Sequence, residues 1–195
     1  MEFAGIILAG GASRRMQAGG APIDKALLPL GGRPMIAHAI ERLGCARAIS
    51  ANGDPARFAA FGLPVLADAT PDRPGPLAGV LAGMDWAAAH GFARIVTAAA
   101  DTPFAPRDMA AALLAAGGPV ALATHEGRDH PTMAAWDVDL RETLRAALAE
   151  GMRRPLVFAE AVGARLVDFA GDDPFFNVNT PRDMALAERR ARGTA

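Results

Sequence analysis

The 195-residue chain has one cysteine and a net charge near zero, and each of these features argues against a class of protein. With Cys45 alone, neither a disulfide framework nor a cysteine-based zinc site can form, which fits a reducing compartment. A net charge of −1 argues against a general nucleic-acid surface, which is usually basic. No apolar run approaches the roughly 18 residues of a membrane-spanning helix, and the N-terminus lacks the basic region of a signal peptide. The sequence therefore predicts a cytoplasmic protein that binds neither nucleic acid nor membrane.

Lys25 is the one lysine among 20 basic residues, and the other 19 are arginine. The two side chains are not interchangeable, because the lysine ammonium is a compact point charge that reaches into narrow sites such as phosphate pockets. In a chain that uses arginine everywhere else, Lys25 indicates either a specific contact of this kind or chance.

Short apolar runs alternate with helical segments along the chain. Strands are predicted over 3–8, 48–51, 64–66, 93–100, 120–123, 132–136 and 165–169. Helices are predicted from Pro34 to a stop at Gly44, over 77–84, from Pro106 to Gly117, over 140–148, and after Thr180, where Asp183 completes a capping pattern. The alternation predicts an α/β protein: a three-layer α/β/α, Rossmann-like single domain over residues 1–195 with a mainly parallel sheet. In such sheets ligands bind beyond the carboxyl ends of the strands.

The loop after the first predicted strand reads LAGGASRRM, residues 8–16. Its glycines allow backbone N–H groups to approach phosphate oxygens, although it matches neither the P-loop nor the G-x-G-x-x-G pattern. Arg14, Arg15 and Lys25 would place three cations in one region, where they repel each other unless an anion is shared. The alternatives are a phosphate site, a solvated basic loop or a simple turn.

Two further segments follow predicted strands. Asp101 ends ARIVTAAAD and is well placed to hold Mg²⁺, which proteins bind through one or two carboxylates with phosphates and water; the alternative is a helix or turn cap. In residues 68–83, Gly75, Gly79 and Gly83 recur every four residues and favour either a ligand or close packing of a helix on the sheet.

No nucleophile and base are visible together. Cys45 and Ser13 have no partner in the pattern. His38 and His90 are expected to be structural or solvated, and His125 and His130 lie in one loop without metal-ligand spacing to each other. Phosphoryl or nucleotidyl transfer depends chiefly on positioning and charge neutralisation and needs no enzyme nucleophile.

Taken together, the motifs resemble a known family. LAGG-x-S-R-R-M, DK-x-L and G-x-P resemble the nucleotidyltransferases built on the nucleotide-diphospho-sugar transferase fold. PGPLAG, AADTP, RDHPT and NVNTP extend the likeness from about residue 4 to 185, and RDHPT with FFNVNTP is the most specific part. The combination resembles the bacterial molybdenum cofactor guanylyltransferases.

The resemblance implies a reaction in which GTP and molybdenum-bound molybdopterin give the guanine dinucleotide cofactor and pyrophosphate. It also implies roles for individual residues. Leu8, Ala9 and Gly10 line the nucleoside side, Gly11 and Arg15 belong to a phosphate-binding loop, Lys25 contacts the triphosphate, Asn52 and Asp68 hold the nucleoside, Asp101 binds Mg²⁺, and Asn177 and Asn179 serve the pterin substrate. A cofactor-insertion protein or chaperone is a further partner consistent with this role.

Two departures and three alternatives accompany the resemblance. The segment MQAGGAPID, residues 16–24, is longer than the usual family loop, and Ser50 stands where some relatives have asparagine, which moves the nucleoside contact to Asn52. The alternatives are a cytidylyltransferase, which tends to read LAAG where this chain has Gly10, a sugar-nucleotide pyrophosphorylase, and a non-catalytic nucleotide-binding module.

Overall fold

The computed structural model describes residues 2–10, 24–68 and 75–193. The strands are β1 (Phe3–Leu8), β2 (Pro29–Leu30), β3 (Arg33–Pro34), β4 (Ala46–Ser50), β5 (Val65–Leu66), β6 (Arg94–Ala99), β7 (Val120–His125), β8 (Arg128–Asp137) and β9 (Arg165–Asp168). The α-helices are α1 (Met35–Leu43), α2 (Pro76–Ala89), α3 (Met109–Ala116), α4 (Arg141–Ala149), α5 (Pro155–Ala161) and α6 (Pro181–Gly193). Short 3-10 helices cover Lys25–Leu27, Pro55–Phe61 and Val138–Leu140.

Seven of these strands form one sheet in the order β5-β4-β1-β6-β8-β7-β9, and β2 pairs with β3 in a separate ribbon. The pairs within the sheet are parallel except those of β8, which is antiparallel to both β6 and β7. β7 and β8 form a hairpin through Glu126 and Gly127, whose positive φ angles of 48° and 75° suit a tight two-residue turn. The predicted mainly parallel sheet is confirmed.

Helices cover both faces of the sheet because its central strands are apolar on both sides. In β1, Ile7 packs in one cluster with side chains of α1 and α3, whereas Ile6 packs in a second cluster with α2, α4 and α5. This alternation follows from the two-residue period of a strand. The predicted three layers are therefore present, with the core divided by the sheet.

A third, smaller cluster lies under α6. It joins Leu30 of β2, Met35 of α1, Phe104, Val178 and Ala187. The cluster attaches the C-terminal helix beside the carboxyl edge of β6, next to the cleft described below. In the part of the chain that the structure describes, no helix is both long and apolar enough to cross a bilayer.

Several elements differ from the predicted ones, among them α3, β8 and α5. α3 begins at Met109, three residues after the predicted start at Pro106, because residues 102–108 form turns. β8 extends back to Arg128, beyond the predicted 132–136, because its outer half pairs with β7 in the hairpin. α5 was not predicted, since its seven residues offer too short a pattern.

Candidate active site

A cleft opens where β1 and β6 end. The two strands are parallel neighbours with Leu8 paired to Ala99, and the Ala100 N–H donates to the Leu8 carbonyl at 3.0 Å. Because parallel strands end at one edge of a sheet, residues far apart in sequence meet there. The cleft is lined by Leu8, Ala9, Gly10, Asp24, Lys25, Ala26, Pro76, Ala99, Ala100, Asp101, Thr132 and Asn177.

Lys25 and Asp101 form the charged centre of the cleft. The Lys25 ammonium lies 2.5 Å from Asp101 Oδ2 and donates a second hydrogen bond to Asn179 Oδ1 at 2.8 Å. Only 18% and 22% of the two charged side chains are exposed, so their charges are screened less than those of a surface pair. A role for Asp101 as a helix cap is excluded, because the next helix begins at Met109.

An extended segment before α6 brings two asparagines to the cleft. The Val178 N–H donates to the Asp101 carbonyl at 2.9 Å, and the Val178 side chain is fully buried under α6. Since neighbouring side chains of an extended chain point to opposite sides, Asn177 and Asn179 face the cleft instead. The Thr102 hydroxyl donates to Asn177 Oδ1 at 2.6 Å, which holds that amide in place.

The start of α6 fixes the backbone of this segment. Asp183 Oδ2 accepts hydrogen bonds from the N–H groups of Asn179 and Thr180 at 2.9 and 2.8 Å, and the Asp183 N–H donates to the Thr180 hydroxyl at 3.1 Å. This is the predicted capping pattern. It holds Asn179 from its backbone while Lys25 holds its side chain.

Asn52 and Asp68 form a second polar pair at the ends of β4 and β5. Asn52 Nδ2 donates to Asp68 Oδ2 at 2.8 Å, and the Asp68 N–H donates to Asn52 Oδ1 at 3.0 Å. Asn52 Nδ2 lies 4.0 Å from where a Cβ on Gly10 would stand, so the pair adjoins the β1 side of the cleft. Ser50 is instead buried, with 2% of its surface exposed, beneath α2.

Two of the three recurring glycines pack a helix against the sheet. A Cβ on Gly79 would lie 2.5 Å from Ser50 Oγ, and a Cβ on Gly83 would lie 3.0 Å from an Ile6 side-chain carbon. Gly75 differs, because its φ of 92° places it in the region that favours glycine at the start of α2. Packing, the alternative left open by the sequence, accounts for Gly79 and Gly83.

We expect Gly79→Ala to lower the free energy of unfolding in urea by about 1–2 kcal/mol, since overpacking costs more than the helix propensity that alanine adds. The added methyl group would press on Ser50 and on Leu8 Cδ2, which lies 3.2 Å away. Gly193→Ala in α6, where no atom lies within 4 Å of the new Cβ, is the control. Equal loss in both variants, or none at Gly79, would contradict this account.

Several predicted residues lie outside the described part of the chain. These are Gly11, Ser13, Arg14 and Arg15, together with residues 16–23 of the long loop. Leu8, Ala9, Gly10, Lys25, Asp101 and Asn177 line one cleft, Asn179 reaches it through Lys25, and Asn52 with Asp68 adjoins it.

The oxygen atoms of the cleft suit a hard cation that arrives with phosphate. Among residues 2–10, 24–68 and 75–193, no group of three or more His, Cys, Asp or Glu side chains is arranged to hold a metal. Of the two carboxylates that line the cleft, Asp24 is engaged by the Ala26 N–H at 3.1 Å and by Arg57. Asp101 Oδ2 accepts from the Lys25 ammonium at 2.5 Å. A carboxylate in this position fits an ion such as Mg²⁺, which usually completes its shell with phosphate oxygens and water.

Similarity to known proteins extends over the whole chain. A family model described as the MobA-like NTP transferase domain matches residues 5–166. A molybdenum cofactor guanylyltransferase of Cereibacter sphaeroides is 51% identical over 199 residues, covering 100% of both chains. One from Mesorhizobium japonicum is 48% identical and covers 96% of this chain and 95% of its own. The chain belongs to the molybdenum cofactor guanylyltransferase family.

A solved structure supports the fold of this family member. The crystal structure of molybdopterin-guanine dinucleotide biosynthesis protein A from Archaeoglobus fulgidus matches it with a TM-score of 0.76 at 23% identity, covering 97% of this chain and 99% of that chain. At this identity the likeness shows the fold, and the predicted α/β class is confirmed. The family model ends at residue 166, before Asn177 and Asn179, whereas the curated relatives extend through them.

Three of the four histidines of this family member bond to backbone carbonyls. His38 Nε2 donates to the Leu30 carbonyl at 2.8 Å, His90 Nδ1 to that of Trp86 at 2.7 Å, and His125 Nδ1 to that of Phe169 at 2.7 Å. His130 of the RDHPT motif is buried, and its ring centroid lies 4.6 Å from that of Phe175. His130 Nε2 is buried without a hydrogen-bond partner.

We expect acid to destabilise the fold partly through His130. Burial, and then the nearby Arg128 charge, lower the pKa of His130 in the folded state. Because the folded pKa is lower than the pKa of about 6.5 in the unfolded chain, the contribution of neutral His130 to the free energy of unfolding is complete above about pH 6.5. It is lost as the pH falls below that value toward the folded pKa. His130→Phe, which keeps an aromatic ring beside Phe175, should reduce the fall in unfolding free energy between pH 7.5 and 5.5. The exposed His90 gives the control, since His90→Gln should leave that fall unchanged.

Four polar residues of the cleft and its surroundings were not among the predicted site residues. Thr102 and Thr132 stood within the quoted motifs AADTP and RDHPT, and Asp24 directly precedes Lys25, so the motifs already contained that signal. Arg57 had no such signal, because its partner Asp24 is 33 positions away, and only the folded chain brings the two together.

Proposed function

We propose that this protein transfers GMP from GTP to molybdenum-bound molybdopterin and releases pyrophosphate. The observation that carries the proposal is the convergence of Lys25, Asp101, Asn177 and Asn179 with residues 8–10 at one cleft. A triphosphate needs a cation and a metal-binding carboxylate side by side, and this cleft offers both at the carboxyl edge of a parallel sheet.

The bond changes need no nucleophile from the enzyme. An oxygen of the pterin's terminal phosphate forms the new bond to the α-phosphorus of GTP. The bond from that phosphorus to the oxygen bridging to the β-phosphate breaks, and pyrophosphate leaves with this oxygen. What the protein contributes is alignment of the two phosphates and stabilisation of the charge on the leaving group.

Lys25 is the proposed donor to the triphosphate. Its ammonium is already held at the cleft by Asp101 and Asn179, so little side-chain freedom is lost when phosphate oxygens bind. Asp101 would hold Mg²⁺ together with phosphate oxygens and water, and the ion when bound supplies neutralisation of the phosphate charge. Gly11 and Arg15 are also proposed to belong to the loop that binds the phosphates.

The remaining residues divide between the two substrates. Leu8, Ala9 and Gly10 form the wall next to which the nucleoside binds, with the Asn52–Asp68 pair adjoining Gly10. Asn177 and Asn179 are proposed to orient the pterin phosphate, because both side chains are held in place at the cleft. Thr102 donates to the side-chain amide of Asn177, whereas Lys25 donates to that of Asn179 and Asp183 accepts the Asn179 backbone N–H. Each substrate thus has its own side of one cleft.

Product analysis tests the proposal. The protein is incubated with Mg²⁺, either GTP or CTP, and a donor protein loaded with molybdenum-bound molybdopterin. The mass of the pterin product is then measured by mass spectrometry. We expect the guanine dinucleotide, with equimolar pyrophosphate, and no product when Mg²⁺ is left out. Formation of the cytosine dinucleotide instead would identify a cytidylyltransferase, and the absence of both products would contradict the proposal.

Other expectations from the sequence stay predictions. These are the cytoplasmic location, a single domain over residues 1–195, the absence of nucleic-acid and membrane partners, and a cofactor-insertion protein or chaperone that receives the product.

A further inference from the structure

Arg57 contacts both Asp24, which lines the cleft, and Asn52, which adjoins it. It belongs to the 3-10 helix Pro55–Phe61, which connects β4 to β5. Its Nε lies 3.1 Å from Asp24 Oδ2, and its Nη2 donates to the Asn52 carbonyl at 2.7 Å. Its guanidinium carbon also lies 4.7 Å from the ring centroid of Phe58, which is fully buried.

Each contact leads to a different part of the site. Asp24 caps the short helix that carries Lys25, since its Oδ1 accepts the Ala26 N–H at 3.1 Å. Asn52 is paired to Asp68 through two hydrogen bonds. Arg57 therefore connects the short helix that carries Lys25 to the Asn52–Asp68 pair, which is proposed to hold the nucleoside.

The burial of this contact makes it more than a surface ion pair. Asp24 Oδ2 and Arg57 Nε are themselves buried and have no hydrogen-bond partner, so the ion pair at 3.1 Å is what compensates their charges. Removing one partner of such a pair leaves the other charge uncompensated. Different nitrogens of the planar guanidinium contact Asp24 and Asn52 at the same time. A lysine ammonium is a single point charge and is less suited to bind both.

We infer that Arg57 is a positioning residue that sets the spacing between Lys25 and the Asn52–Asp68 pair. This inference rests on the proposed function, because that spacing has a role only when one nucleotide spans both. A nucleoside triphosphate would contact Asn52 and Asp68 at one end and Lys25 at the other. Arg57 itself acts through Asp24 and the Asn52 backbone.

The first measurement is nucleotide binding without turnover or pterin, and the second is kcat/KM with GTP and the loaded pterin donor. The full-length protein is titrated calorimetrically with GTP, CTP, ATP and UTP in Mg²⁺, and the nucleotide bound tightest by the wild type is then used for Arg57→Ala, Arg57→Lys and Arg145→Ala. Arg145 is the matched control, because it too forms ion pairs, with Asp85 at 2.7 Å and Glu142 at 3.1 Å, but it lies on α4.

We expect Arg57→Ala to weaken binding about tenfold, as supporting contacts around a binding group commonly do, and to lower kcat/KM about 10- to 100-fold through misplacement of Lys25. Arg57→Lys should recover part of both losses. Arg145→Ala should leave binding unchanged, whatever it does to the melting temperature. If Arg57→Ala fails to fold, the inference is tested with Arg57→Lys alone, whose affinity for the nucleotide should be lower than that of the wild type.

Two negative results are distinguishable. If the wild type binds a nucleotide and both Arg57 variants bind it equally well, Arg57 is only structural and the inference is wrong. If the wild type binds no nucleoside triphosphate, the proposed function fails and this inference fails with it.

Discussion

Asp101→Asn is expected to lower kcat by about 100- to 1000-fold, the range seen when one charge-stabilising group is removed from an active site. The asparagine has the same shape but lacks the negative charge, so it is a poor ligand for Mg²⁺. The thermal midpoint should change little, because Lys25 keeps an oxygen acceptor at position 101 and its hydrogen bond to Asn179. The measurement is the initial rate of pyrophosphate release with GTP and the loaded pterin donor.

Asp108→Asn is the matched control for this result. Asp108 precedes α3, is exposed, and its side chain caps no N–H of that helix. The same change of charge at this position should leave kcat unaffected. Unchanged turnover in Asp101→Asn, or a loss restored by a tenfold higher GTP concentration alone, would contradict a role for Asp101 at the reacting phosphates.

Lys25→Arg is expected to lower kcat/KM for GTP by about 10- to 100-fold, even though the positive charge is kept, because one charged hydrogen bond is worth about 1.5–3 kcal/mol. The Lys25 ammonium lies within 2.8 Å of oxygens from both Asp101 and Asn179, a position for a compact cation. The planar guanidinium is larger and directs its N–H groups differently. Lys25→Ala, which loses the charge as well, should lower it about 100-fold or more.

Arg47→Lys provides the corresponding control, since Arg47 is exposed on β4 and the swap involves the same two residue types. It should leave both kcat and KM as in the wild type. If Lys25→Arg keeps the wild-type kcat/KM, then a lysine at position 25 is not required. The presence of a single lysine in this arginine-rich chain would then not indicate a specific contact.

Much of the fold was predictable because its signals are local. The apolar run of β1, the Gly44 stop after α1 and the Thr180–Asp183 cap of α6 each depend on residues a few positions apart. α5 and the outer half of β8 were not predictable. The first is too short for a periodic pattern, and the second is a strand only because it pairs with β7.

The candidate site divides in the same way. The residue types that the chemistry needs, a lysine, a carboxylate and glycines after strands, could be selected from the sequence, because strand ends and loop composition can be read locally. Their contacts could not. Lys25 and Asp101 are 76 positions apart, and the choice between packing and ligand binding at Gly79 depended on how α2 lies against β1 and β4.

From the order of its residues alone, the chain specified its class of fold, the edge of the sheet where a ligand is expected to bind and the chemical groups available there. Which groups meet was determined by folding: Lys25 with Asp101 and Asn179, Asn52 with Asp68, and Arg57 with Asp24. The reason is that caps and periodicity act within a few residues, whereas these contacts depend on strand register and on packing between distant segments.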